Sequence, residues 1–130
     1  MTFLDSSVII DMLEGVDDTV EFVQSQGEPY LTASICVYEV LKGPLGSGTT
    51  DVVAERQRFG GIRAIGFTDD LAVEAARLQD ELLSERRRMV VRDCMIAATA
   101  RSTGDQLVVA DADFQTEPIE SKLDVTNLRD

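Results

Sequence analysis

Arg92-Asp93-Cys94-Met95-Ile96-Ala97-Ala98-Thr99-Ala100 decides the fold, because it sets an acid at the head of a helix with almost no polar face. At about 100° per residue, positions 93–102 spread Cys94, Met95, Ile96, Ala97, Ala98 and Ala100 around most of the helical wheel, the pattern of a buried helix. A buried helix carries its first residue inward with it. Asp93 is therefore expected as a carboxylate near the interior, where it must be capped, paired or bound to a metal. The plain alternative is an N-cap, since Asp accepts the orphan N–H groups of a first turn well.

The flanking sequence alternates strands and helices. Upstream, Thr2-Phe3-Leu4 predicts a short strand that ends at Asp5-Ser6-Ser7, followed by a helix through Val8, Ile9, Ile10, Met12 and Leu13 that stops at Gly15. Residues 17–26 predict a second helix, Pro29-Tyr30-Leu31-Thr32 a second strand, and Ala33 to Lys42 a third helix before Gly43-Pro44. Leu45-Gly46-Ser47-Gly48-Thr49-Thr50 has the composition of a loop and is too short to link two domains. Residues 51–59 predict a helix, Ile62 to Phe67 a third strand, and Thr68-Asp69 the cap of a long helix whose Leu71, Ala75, Leu78 and Leu82 form one stripe. That helix is expected to run into Arg86-Arg87-Arg88, which would complement its dipole. Beyond the central helix, Gln106-Leu107-Val108-Val109 predicts a fourth strand ending at Ala110-Asp111-Ala112-Asp113-Phe114, and Leu123-Asp124-Val125-Thr126 a fifth. The expectation is an α/β protein: one domain over residues 1–130, a central parallel sheet of about five strands, and helices on both faces.

Composition bounds the function. The 130 residues are 44% hydrophobic, enough for one compact domain and too few for two. No apolar run approaches the ~20 residues of a membrane span, and the chain does not open on the basic segment of a signal peptide, so a cytoplasmic protein is expected. With no His in the chain, and with Cys36 and Cys94 lacking CxxC spacing, the common zinc and thiol-catalysis sets have no basis, and both cysteines read as buried thiols. The net charge is −12, and the bases are arginines apart from Lys42 and Lys122. Such an acidic surface suits a halophilic-type setting in which salt screens self-repulsion. It opposes long-range attraction to nucleic acid while leaving room for a local basic rim.

In a parallel open sheet, ligands bind beyond the carboxyl ends of the strands. Asp5 follows the first strand there, Asp111 and Asp113 follow the fourth, and Asp93 opens the helix leading into it. Glu39 lies in mid-helix, where capping is impossible; an exposed pair with Lys42 is its plain alternative. Together these acids describe an oxygen-only site for a hard cation, Mg²⁺ or Mn²⁺, suited to phosphodiester chemistry.

Four blocks carry a resemblance. Leu4-Asp5-Ser6-Ser7-Val8-Ile9-Ile10-Asp11, Tyr38-Glu39-Val40-Leu41-Lys42-Gly43, Arg92 to Ala100, and Val108-Val109-Ala110-Asp111-Ala112-Asp113-Phe114 resemble, in order, the acidic motifs of PIN domains, and the single-domain length resembles the VapC-like toxins. The resemblance implies a metal-dependent endoribonuclease acting on single-stranded or structured RNA. Asp5, Glu39, Asp93 and Asp111 would be its metal-site acids, Asp113 an additional acid and Ser7 a hydroxyl lining the site. It also implies a homodimer held inactive by a small antitoxin that often reaches the acids with a basic side chain. Arg86, Arg87, Arg88 and Arg92 would supply a phosphate-facing rim, with a solvated helix end as their plain alternative. Val109 departs from the pattern, standing where many relatives place a Thr or Ser. Two other classes compete: a non-catalytic interaction module of the same fold, and a phosphatase using Asp5 or an Asp of Asp111-Ala112-Asp113 as nucleophile. The phosphatase is disfavoured because no basic residue directly follows any of these acids.

Overall fold

The computed structural model describes residues 1–129. Five parallel strands, β1 (Thr2–Leu4), β2 (Tyr30–Ala33), β3 (Ile62–Ile65), β4 (Gln106–Val109) and β5 (Val125–Asn127), form one sheet in the order β3-β2-β1-β4-β5. Six helices connect them: α1 (Ser6–Glu14), α2 (Asp17–Gln24), α3 (Ser34–Lys42), α4 (Val52–Gln57), α5 (Asp69–Ser84) and α6 (Val91–Thr103). The expected α/β architecture is the observed one; β1 and β4 have the expected bounds, and the other strand ends are displaced by at most two residues.

Strand alternation explains why both faces are covered. Phe3, Leu107 and Val109 pack with Leu78 and Leu82 of α5 and Ile96, Ala97 and Ala100 of α6, whereas Leu4 and Val108 pack with Val8 and Ile9 of α1, Val23 of α2 and Val40 of α3. Successive side chains point to opposite faces, so the central strands carry apolar residues on both, and the buried Thr2 and Thr32 hydroxyls donate to the Gly27 and Leu4 carbonyls. Val109 lies in the first of these clusters, fully buried. A hydroxyl there would face hydrocarbon.

The order of the strands also places the crevice. The chain runs outward from β1 to β3 and then returns to the other side of β1 as β4, so β1 and β4 flank the point where the winding reverses. Helices on either side of that point diverge and leave an opening at the carboxyl ends of the strands. Asp5 lies one residue past β1 and Asp111 two residues past β4.

Two helix ends that bear on the site differ from expectation. Helix α6 begins at Val91, with Val90 as an N-cap lacking any side-chain bond, so Asp93 is the third helical residue and not the cap. Helix α5 stops at Ser84, and Arg86 takes a left-handed φ of 60° that turns the chain away, which puts Arg86, Arg87 and Arg88 beyond the helix rather than in its last turn. Its Thr68 cap is present, accepting from the Leu71 N–H. No helix among the described residues is long and apolar enough to cross a membrane.

Candidate functional site

Asp5 caps α1. Its Oδ2 accepts from the Ser7 N–H at 3.2 Å and from the Ser7 hydroxyl at 2.6 Å. The same Ser7 oxygen accepts the Ala110 N–H at 2.9 Å, so one hydroxyl ties the end of β4 to the acid that ends β1. The Asp5 side chain is fully buried, and a buried carboxylate must find charge or donors on every side.

Glu39 reaches the same place from α3. The Ser6 hydroxyl donates to its Oε1 at 3.0 Å, and no ion pair to Lys42 forms. Asp93 comes from α6, 5% exposed, with its Oδ2 accepting the Gln115 backbone N–H at 3.3 Å.

At the centre of these acids lies the Arg92 guanidinium. Its Nε donates to Glu39 Oε2 at 2.6 Å, its Nη2 to Glu39 Oε1 at 2.7 Å and Asp5 Oδ1 at 2.9 Å, and its Nη1 to Asp93 Oδ1 at 2.9 Å. Nη2 also lies 3.1 Å from the Ser6 hydroxyl. Arg92 is therefore no rim residue: it occupies the cluster and holds three carboxylates from three segments together. The remaining basic candidates stand apart. Arg86, Arg87 and Arg88 are exposed, and Arg87 pairs loosely with Glu117 at 3.6 Å.

Local electrostatics differ from acid to acid. Burial raises the Glu39 carboxyl, but the Arg92 hydrogen bonds and charge, with help from Ser6, outweigh it and hold Glu39 below its ordinary value. For Asp93 burial prevails over the Gln115 N–H and the single Arg92 bond, and the nearby Asp5 charge adds to it, so Asp93 is raised. The Arg92 guanidinium is itself desolvated, yet Glu39 and Asp5 more than compensate, and it stays charged.

Ligand atoms of Asp5, Cys36 and Glu39 lie within 4.8 Å of one another. Burial, and then the Asp5 charge, push the Cys36 thiol up to about 12, so it remains a thiol and the usable donors are carboxylate oxygens. Oxygen donors suit Mg²⁺ or Mn²⁺.

Asp111 stands at the same edge but is turned to its own loop: its Oδ1 accepts the Asp113 N–H at 2.9 Å, while its carbonyl accepts from Asn127 Nδ2 at 2.8 Å. Asp113 is exposed. Two residues that sequence reasoning missed prove structural here. Gln115 bonds Asp93 through its backbone and clamps the approach to α6 through its side chain, to Val90 N at 2.6 Å and Arg88 O at 3.2 Å. Asn127 joins the Asp111 carbonyl to the Thr116 hydroxyl, the latter at 3.0 Å. Neutral amides carry no charge or ligand signature, so nothing in the sequence marked them. Ser6, by contrast, adjoins Asp5 in a motif already singled out.

A doubly wound parallel sheet with carboxylates gathered at its switch point defines an α/β protein with an acidic site at the carboxyl ends of its strands. The model of the PIN domain matches residues 2–116, and the chain belongs to that family. Among characterised proteins it is similar to Ribonuclease VapC5 of Mycobacterium tuberculosis, 29% identical over 114 residues, covering 77% of this chain and 84% of that protein. Among solved structures, the toxin–antitoxin complex VapBC-5 of Mycobacterium tuberculosis matches with a TM-score of 0.67 and 27% identity over 99% of this chain and 98% of the other. FitAcB from Neisseria gonorrhoeae matches with a TM-score of 0.77 over 98% and 97%, at 21% identity, a likeness of fold.

Proposed function

We propose that this chain is a metal-dependent endoribonuclease, cleaving single-stranded or structured RNA, and the toxin of a toxin–antitoxin pair. The observation that carries the reading is the convergence of Asp5, Glu39 and Asp93 on one cationic centre at the switch point of the sheet. Membership of the PIN family and the similarity to Ribonuclease VapC5 support RNA as substrate, and the similarity to VapBC-5 supports a small antitoxin as partner.

In this reading Asp5 and Asp93 hold a Mg²⁺ or Mn²⁺ ion directly, and Glu39 and Asp111 complete or orient its surroundings. Asp113 adds negative charge at the mouth of the site. When bound, such an ion polarises the scissile phosphate and lowers the pKa of attacking water. The residues of the chain supply the shape: Ser7 fixes the Asp5 rotamer against β4, Gln115 fixes Asp93, and Ser6 fixes Glu39. Preorganised ligands of this kind keep their positions as charge develops. Arg86, Arg87 and Arg88, exposed beyond α5, are the basic groups left to meet RNA phosphates. A basic segment of the antitoxin complements the acids, and the toxin works in the cytoplasm as a homodimer.

Incubation of the purified chain with labelled RNA tests the activity. Cleavage with Mn²⁺ or Mg²⁺, abolished by EDTA and by Asp5→Asn, is the expected result. Equal cutting by Asp5→Asn identifies a contaminating nuclease and removes the support. For the partner, the product of the adjacent small reading frame is expected to co-purify and to relieve growth arrest; failure of both rejects the toxin assignment.

A further inference from the structure

We propose that Arg92 is the resident cation of the acidic site: its guanidinium fills the cluster while no divalent ion is bound and must withdraw before one binds, so that Arg92 sets how much metal the protein requires. The inference rests on the metal-site reading above and adds a competitor built into the chain.

An inventory of carboxylate oxygens carries it. Every inward oxygen of the cluster is already held by Arg92: Asp5 Oδ1, both oxygens of Glu39, and Asp93 Oδ1. The outward oxygens are held by the chain itself, Asp5 Oδ2 by Ser7 and Asp93 Oδ2 by the Gln115 N–H. No oxygen of Asp5, Glu39 or Asp93 is left without a donor. A small divalent ion takes its oxygens at about 2.0–2.1 Å. Nη2 lies 2.9 Å from Asp5 Oδ1 and 2.7 Å from Glu39 Oε1, so an ion joining those two oxygens has no room beside it.

Arg92 also cannot yield by losing its charge, because a guanidinium stays protonated in proteins. It must move. The fold permits that: Arg92 is the second residue of α6, and its side chain keeps 28% exposure, so it can swing outward without breaking a helix bond. The arrangement differs from an ordinary surface ion pair because one side chain spans partners from three segments, each an acid of the proposed metal site. Without the guanidinium these carboxylates would repel one another across a buried space. Arg92 thus keeps the ligands gathered when metal is scarce, and opposes metal by the same contacts.

The test is a Mn²⁺ titration of the full chain, followed by the electron paramagnetic resonance of free Mn²⁺, for wild type, Arg92→Lys and Arg92→Gln. Removing the competing charge is expected to tighten Mn²⁺ binding by at least ~10-fold in Arg92→Gln, with Arg92→Lys in between. Without metal, Arg92→Gln is expected to melt below wild type, with the gap closing at saturating Mn²⁺. A second measurement uses the wild type alone, in case Arg92→Gln folds poorly: the Arg92 Nε–H resonance, protected by Glu39 in metal-free protein, is expected to lose protection as Mg²⁺ is added. Mn²⁺ binding to Arg92→Gln no tighter than to wild type, or an Arg92 Nε–H unmoved at saturating Mg²⁺, overturns the inference while the nuclease reading stands. Wild type and Arg92→Gln that both ignore Mn²⁺ overturn the two together.

Discussion

Arg92 grips Glu39 with two nitrogens, Nε on Oε2 at 2.6 Å and Nη2 on Oε1 at 2.7 Å, across 53 positions of sequence. This fork ties the middle of α3 to the start of α6 through two charge-assisted bonds on one carboxylate. A planar guanidinium matched to a carboxylate is among the stronger side-chain pairings, and here it is only partly open to water.

The pH dependence of that pair follows from its sign. Glu39 titrates in the folded protein below its ordinary 4.5, so the folded state binds its proton more weakly than the unfolded one. The stabilisation is present above the unfolded pKa and disappears as pH falls through the folded one. Glu39→Gln is expected to destabilise the metal-free protein by about 1–2 kcal/mol at pH 7, with the difference shrinking below pH ~4. Urea unfolding at pH 7 and pH 3.5 measures it; an equal difference at both values rejects the ion pair as the source.

Asp93 carries the opposite sign. Raised above its ordinary 3.8 mainly by burial, it binds a proton more tightly folded than unfolded, so its contribution is full below the unfolded pKa and is lost as pH rises through the folded one. Asp93→Asn is therefore expected to leave the metal-free protein at least as stable as wild type at neutral pH. The same change is expected to shrink the rise in melting temperature produced by Mn²⁺, because stabilisation by a ligand follows its affinity. A clearly less stable variant with an undiminished Mn²⁺ shift would make Asp93 a purely structural acid.

Ser7 links β1 and β4 through one oxygen, donating to Asp5 and accepting from Ala110. Ser7→Ala leaves the Ala110 N–H unanswered and Asp5 Oδ2 with the residue 7 backbone N–H as its remaining donor, at a cost of about 1–3 kcal/mol. Cleavage is expected to fall with it, since Asp5 is no longer held in one rotamer, and Ser7→Thr is expected to retain more of both. Chemical unfolding and initial cleavage rates measure the pair; a Ser7→Ala protein of wild-type stability would show the bridge to be incidental.

The surface supplies a prediction of its own. With a net charge of −12 spread over one small domain, self-repulsion opposes the compact state until salt screens it. The melting temperature is expected to rise between about 0.05 and 1 M KCl, where the Debye length falls to ~3 Å, and to rise as much in Asp93→Asn as in wild type. A melting temperature indifferent to KCl speaks against a surface adapted to salt.

The sequence by itself determined the architecture and the location of the acids. Alternating short apolar runs and helical stripes specify a parallel sheet covered on both faces, because strands as apolar as Leu107-Val108-Val109 cannot leave either face in water. Asp5, Glu39, Asp93 and Asp111 were legible because each interrupts an apolar segment or ends one. What each acid meets was decided only by the tertiary structure. Asp93 and Asp111 look equivalent in sequence, yet Asp93 faces Arg92 and Gln115 whereas Asp111 faces the N–H of Asp113. Arg92 looked like one more base after Arg86-Arg87-Arg88, yet the left-handed turn at Arg86 and the start of α6 at Val91 send it inward. Composition and periodicity report which side of an element is buried. The rotation of one helix against another, which sets the neighbour of a long flexible arginine, is settled by packing between segments 53 and 87 residues apart.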